Sequence, residues 1–297
     1  MSGFSTDWLA LREPFDRAAR AAADAALDWP ALTTRLRAGL APDAPLAVLD
    51  LGCGTGANLR EIAPRLGGTQ HWRLVDHDPA LLAAAPAALA RWARDRGLQA
   101  HAEAARLRIA GAGLQVVAEF CHADLAHGLD ALGFDGVQLV TASALLDLVG
   151  ADWLAALVAR CHGAGAAVCW ALNVDDRLAW QPPDADDAMV QALFQAHQRR
   201  DKGFGPALGG TAAALAVQAL HAAGYRTVQA RSDWCIDGRR GPDAQAMWRA
   251  MVEGMGVAAT EQAPEQAVRV RAWQARRLAQ AGQAQLHVGH VEVLGWR

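Results

Sequence analysis

The run Val48-Leu-Asp-Leu-Gly-Cys-Gly-Thr-Gly-Ala-Asn58 limits the possible folds more than any other feature. Residues 46–51 form a short apolar segment with the length of a buried strand. It runs straight into glycines at alternate positions, Gly52, Gly54 and Gly56. Glycines there let the backbone turn tightly and approach a ligand with no Cβ in the way. Residues 58–66 read as a helix, whose free N–H groups and positive dipole end face the same place. Asp50 sets a carboxylate at the carboxyl end of the strand, suited to a cationic amine. In open α/β sheets that is where ligands sit.

The rest of the chain repeats the alternation. Strands are expected at 71–76, 114–120, 135–141 and 166–172. Helices are expected from Pro79 to about Arg96 and around 153–161. This argues for a mainly parallel sheet with helices on both faces. Residues 5–40 look helical, and residues 1–45 read as an N-terminal helical cap. Residues 175–210 break the rhythm with Pro182, Pro183 and an acidic cluster, and read as an inserted helix and loop. A core helix at 215–223, a sixth strand at 225–236, a helical insertion at 242–281 and a seventh strand at 285–296 complete the reading. Residues 46–297 would then form one domain with two helical insertions.

Composition narrows the function. Hydrophobic residues make up 53% and charged residues 20% of 297, enough for a core. The net charge of −3 and the lack of a basic block argue against nucleic-acid binding. No signal-like start and no bilayer-length apolar run is seen, so a cytoplasmic enzyme without membrane partners, monomeric or homodimeric, is expected. Cys53, Cys121, Cys161, Cys169 and Cys235 form no C-x-x-C pair and read as reduced thiols. His287 and His290 lie in a strand-like pattern and read as strand residues rather than metal ligands.

Two more acids follow in order. Asp76 ends the second strand, where a carboxylate can accept hydrogen bonds from two ribose hydroxyls. Asp124, in Cys121-His-Ala-Asp124, follows the third strand and can accept from an exocyclic adenine amine. Together with the glycine loop and Phe134-Asp-Gly-Val-Gln-Leu-Val140, these residues make the chain resemble the class I SAM-dependent methyltransferases. The resemblance covers 46–172 well and 211–297 by layout. It implies an α/β, Rossmann-like seven-stranded mostly parallel sheet with an antiparallel last strand, plus helical cap insertions. It implies S-adenosylmethionine (SAM) as cofactor, at Asp50, Gly52, Cys53, Gly54, Gly56, Asn58, Asp76, His77, Asp124, Leu125 and Thr141. The same loop also satisfies the G-x-G-x-x-G/A fingerprint of NAD sites. The third alternating glycine, the acid before the loop and the Ala-Asp after strand three favour SAM.

For the acceptor side the sequence offers less. Methyl transfer from a sulfonium is an in-line displacement that needs positioning and exclusion of water. A base is needed only for a protonated acceptor. His197 is the candidate base and Asp147 the second catalytic candidate, with surface charge as its plain alternative. Ser143 reads as a pocket residue or a helix N-cap, and Asn173 as a pocket or turn residue. Arg199, Arg200 and Lys202, in a Gly/Pro loop, could hold an acceptor carboxylate or phosphate. Trp8 and Arg12 are candidate substrate contacts, in a helix expected to close over the cofactor. The expected function is methyl transfer to a small molecule, possibly anionic, at O, N or C. The alternatives are a SAM-using cyclase or lyase, an NAD-dependent oxidoreductase, and a non-catalytic SAM-binding module.

Overall fold

The computed structural model describes residues 4–297; residues 1–3 of the expected N-terminal cap lie outside the described residues. The helical stretch expected at 5–40 is two helices, α1 (Thr6–Ala23) and α2 (Trp29–Arg37). Asp28 breaks it by capping α2, accepting from the Ala31 N–H, with Pro30 in the first turn. Then come β1 (Leu46–Leu51), α3 (Ala57–Leu66), β2 (Gly68–Asp76) and α4 (Pro79–Asp95). Next are β3 (Gln99–Glu103), β4 (Arg106–Gly111), β5 (Leu114–His122), β6 (Leu139–Ser143), α5 (Ala151–Ala164) and β7 (Ala167–Gln181). The chain ends with α6 (Asp187–Gln198), α7 (Ala212–Ala222), β8 (Arg226–Arg231), β9 (Trp234–Asp237), α8 (Pro242–Gln262), α9 (Ala267–Ala279) and β10 (Gln285–Trp296).

The sheet has ten strands, ordered β3-β4-β5-β2-β1-β6-β7-β10-β8, with β9 also pairing β10. From β5 to β7 the pairing is parallel, and β10 is antiparallel to both β7 and β8. The seven expected strands are therefore present, in a Rossmann-like arrangement with an antiparallel last strand. Dinucleotide folds of order 3-2-1-4-5-6 have no antiparallel strand between the fifth and sixth. Here β10 lies between β7 and β8, which sets this sheet apart from that order.

Several boundaries differ from the sequence reading. The hairpin β3–β4 extends the edge next to β5 and was not expected, because its alternation is short and mostly exposed. The fourth strand begins at Leu139 rather than residue 135, because Phe134 to Val137 closes a turn through Gly136 at φ 72°. Strand β7 does not end at 172 but runs to Gln181, so 175–181 belongs to the sheet and not to an insertion. Two register shifts against β10, at 171–172 and at 175–177, bend it, and β10 continues to pair beyond them. The expected strand 225–236 splits into β8 and β9 at Ser232 and Asp233. Both halves pair along the same side of β10.

Alternation decides which helix each strand residue meets. Leu46 and Val48 join Ile62 and Leu89 under α3 and α4. Leu49 and Leu51 join Leu157 and Leu220 under α5 and α7. Asp50 and Thr141, paired across β1 and β6, therefore face α3. Helices α6, α8 and α9 pack on the long ends of β7, β9 and β10. There Trp180 meets Trp248 and Trp273 edge-on at 5.0 and 5.6 Å, so three of the tryptophans are packing residues. No helix among the described residues is long and apolar enough to cross a membrane.

Candidate active site

The glycine loop turns through left-handed backbone at Gly52, Gly54 and Gly56, with φ of 65°, 54° and 80°. L residues rarely adopt this conformation. A Cβ on Gly54 would lie 3.0 Å from Leu9 of α1, and one on Gly56 3.2 Å from Leu89. Helix α1 thus lies directly over the loop. It is fastened to α3 by Arg60–Glu13 at 2.7 Å and Arg17–Glu61 at 3.2 Å. Cys53 N–H donates to Val75 O, and Gly54 N–H donates to Asp76 Oδ2 at 2.8 Å, tying the loop to the end of β2. Asp76 Oδ1 accepts from Asp78 N–H at 3.0 Å, and exposed His77 stands 3.4 Å from the same oxygen. Gly56 precedes α3 without a side-chain cap, which leaves the first N–H groups of that helix to a ligand or water.

Beneath the loop lies a buried polar chain. Asn58 Nδ2 donates to Asp50 Oδ1 at 2.9 Å and to Thr141 Oγ1 at 2.7 Å. The Thr141 hydroxyl donates onward to Cys169 O. Arg20 of α1 donates to Asn58 Oδ1 at 2.7 Å, and its Nε stands 3.1 Å from Glu292 of β10, out of hydrogen-bond alignment. The side chains of Asn58 and Thr141 are thus spent on fixing Asp50 and do not face a cofactor freely. Among the described residues Asp50 Oδ2 has no partner, and Asp50 has no exposure. Burial pushes its carboxyl up to about 7, against the opposing pull of Asn58 and Arg20.

Asp124 begins a 3₁₀ turn, Leu125–His127, accepting from Ala126 N–H at 2.9 Å and pairing with His127 at 2.9 Å. The Ala126 bond, with the His127 pair, holds its half-exposed carboxyl below the usual range. Leu125 is buried, and its carbonyl accepts from Trp153 Nε1.

Beyond β6 and beside α1 a second group of side chains converges. Arg12 donates to both oxygens of Asp16 at 2.9 and 3.2 Å and lies 5.0 Å over the Trp234 ring. Trp234 donates from Nε1 to Asp16 at 2.9 Å, meets Trp8 edge-on and stacks at a tilt on His290, 4.7 Å away. Burial and the nearby Arg12 charge push the His290 imidazole down to about 3, so it is neutral. Asp147 is not a surface charge: it is buried, and its Oδ1 has no partner among the described residues. Burial raises its carboxyl to about 6, with the Arg12 charge pulling the other way. Ala144, just after β6, and Leu172, within β7, sit at φ of 52° and 53°. Such strain costs about 1–3 kcal/mol per residue and gathers at functional rims. Ser143 is no N-cap, since Gly150 holds that place on α5. Sequence reasoning missed Asp16, Arg20 and Glu292; each is one acid or base in an ordinary helix or strand pattern.

Other expected residues stand apart. His197 pairs with Glu261 of α8 at 2.9 Å, and Arg199 with Asp176 at 2.7 Å. Arg200 donates to Glu261 O and the Gln262 side chain. These basic groups hold α6 to α8 and β7 because they meet a carboxylate or a helix carboxyl end, as cations commonly do. Asn173 donates to Trp170 O and Val291 O and fixes the bend between β7 and β10. Lys202 has no ion pair among the described residues and is half-buried.

Strand order and the pairing of β10 define a Rossmann-like domain with an antiparallel last strand. The family described as "Methyltransferase domain" matches residues 48–117. A cyclopropane-fatty-acyl-phospholipid synthase-like protein from Lactobacillus casei is similar in structure. Its TM-score is 0.53 at 14% identity, over 98% of this chain and 94% of that one. A SAM-dependent methyltransferase from Thiobacillus denitrificans, in complex with S-adenosylhomocysteine, has a TM-score of 0.36 at 20% identity, over 90% and 92% of the two chains. No curated protein matches in sequence. The family match covers residues 48–117, and the structural likeness is one of fold.

Proposed function

We propose that the chain binds SAM at the carboxyl ends of β1, β2 and β5 and transfers its methyl group to a small molecule with a protonated O or N nucleophile. The observation that carries this reading is Asp50. Its buried, partnerless Oδ2 fits an ammonium such as that of a methionine moiety. Asp76 fits a ribose diol and Asp124 an adenine amine, while Gly52, Gly54 and Gly56 leave room for close approach. When bound, the cofactor supplies an electrophilic methyl carbon. The chain's own residues hold it, exclude water under α1, and place the acceptor among Trp8, Arg12, Asp147 and Trp234. The helices of 1–45, 175–210 and 242–281 close that space. Asp147 replaces His197 as the candidate base, because His197 is already paired with Glu261. Side-by-side calorimetry tests the cofactor: S-adenosylhomocysteine binds and NAD does not. Binding of NAD alone overturns the reading.

Two further results are expected. An ammonium at Asp50 favours the carboxylate, so proton and ligand compete. Because burial raises Asp50 to about 7, affinity for S-adenosylhomocysteine should be flat above that pH. It should weaken by up to about tenfold per pH unit below it. Calorimetry at pH 6 in buffers of different ionisation enthalpy should show proton release, and Asp50→Asn should remove both effects. Equal affinity at pH 5.5 and 8 would count against this contact. For Asp147, raised to about 6, the base form is lost as pH falls through that value. Turnover of an acceptor should therefore rise from pH 5 to a plateau above 7. Asp147→Asn should cut kcat by about 10²–10⁴ with cofactor binding unchanged. A variant with wild-type kcat would return Asp147 to a packing role.

A further inference from the structure

A second group of reactive side chains lies on the other face of β9. Side chains alternate there: Trp234 and Ile236 are buried, and Cys235 between them is exposed. The antiparallel register puts Cys235 directly across from His287 of β10. The Cys235 sulfur stands 3.5 Å from His287 Nδ1, and His287 Nε2 stands 2.8 Å from Asp233 Oδ2. Asp233 is itself fixed. Arg177 donates to both its oxygens at 2.9 and 2.7 Å, and His290 N–H donates to Oδ1 at 2.9 Å. Burial opposes the charge on Asp233, but these donors outweigh it and hold the carboxyl down at about 2.

The order thiol, imidazole, carboxylate has chemical meaning. An ionised Asp233 draws the imidazole hydrogen to Nε2, which leaves the Nδ1 lone pair facing the thiol. A nucleophile, a base and a group that orients the base are the parts of an activated nucleophile. The thiol opens on a cavity of about 190 Å³ that Gln181, Arg240 and Gln285 also line. Arg240 is largely exposed and only loosely paired, its Nε 3.9 Å from the nearest oxygen of Asp237, which also lines the cavity, so most of its guanidinium faces outward.

We propose that Cys235 is a thiol–disulfide exchange site for small disulfides that carry carboxylates. His287 Nδ1 takes the thiol proton, and the Cys235 sulfur attacks one sulfur of the incoming disulfide. The old S–S bond breaks as the new one forms. The departing thiolate takes the proton back from His287 and leaves as a thiol. The products are one mixed disulfide on Cys235 and one free thiol, and an excess of the same thiol reverses the step.

The test uses the full chain with glutathione disulfide near pH 7, followed by intact-mass and peptide mass spectrometry. One glutathione should add, on the peptide that carries Cys235, and reduced glutathione should remove it. The folded protein should react at least about tenfold faster than the same cysteine in urea. His287→Gln should lose about that factor near pH 7 and regain it near pH 10, where hydroxide removes the proton. Cystamine, a cationic disulfide, should react more slowly than glutathione disulfide, and Arg240→Gln should erase the difference. Modification at another cysteine, a folded rate no higher than the unfolded one, or a His287→Gln rate unchanged near pH 7 would each overturn the proposal.

Discussion

Asp76→Ala is expected to lower affinity for S-adenosylhomocysteine by about 10²- to 10⁴-fold while the sheet stays folded. Two ribose hydroxyls donating to one carboxylate are worth about 1.5–3 kcal/mol each, and about 1.4 kcal/mol is tenfold in affinity. The structural cost is smaller. Asp76 accepts from the N–H groups of Gly54 and Asp78, and alanine leaves both without that partner. The Gly54 N–H is buried and the Asp78 N–H partly so, and stability should fall by about 1–3 kcal/mol. Asp76→Asn keeps one acceptor oxygen and should fall between the two. Calorimetry with a parallel melting curve separates affinity from folding. An affinity within a factor of three of wild type would remove Asp76 from the cofactor site.

Arg20→Met should be the most destabilising single change considered. Arg20 and Glu292 are both buried, and Arg20 also holds Asn58, which in turn holds Asp50. Removing one partner of a buried pair strands the other charge, at about 3–5 kcal/mol. For a chain this long, about 2 °C of Tm is lost per kcal/mol, or roughly 6–10 °C. The sign of the pH dependence follows from Glu292, whose carboxyl burial raises and Arg20 pulls back. Without Arg20 only Arg65 opposes the upward push, so the Glu292 carboxyl rises further, and the variant's stability is retained at low pH and lost as pH rises through the raised value. The deficit should therefore be larger at pH 8 than at pH 5. Arg20→Met with Glu292→Met should recover most of the loss. A single variant that melts like wild type would mean that the pair is dispensable.

The local patterns told much of the story. Apolar runs six residues long, glycines at alternate positions and prolines at helix starts each act over a few residues. They therefore fixed β1, β2, α3, α4 and the loop between Asp50 and Asn58. The order of the acids Asp50, Asp76 and Asp124 along the chain was legible because each follows its own strand. The His287 and His290 pattern was likewise readable as strand.

Tertiary structure alone decided the rest. Strand β7 continues past Leu172 because β10 pairs with it, a bond between segments more than a hundred residues apart in the chain. The same register sets Cys235 across from His287. Asp147 is buried in the turn after β6, which packs on β7 and α7, and burial, not residue type, raises its carboxyl. His197 and Arg199 read as ligand groups in sequence, yet their partners Glu261 and Asp176 come from other elements. A one-dimensional pattern carries the period of a helix or strand, because backbone geometry imposes it residue by residue. It does not carry the identity of the groups that meet across the fold, and those meetings set the charge, burial and chemistry of each side chain.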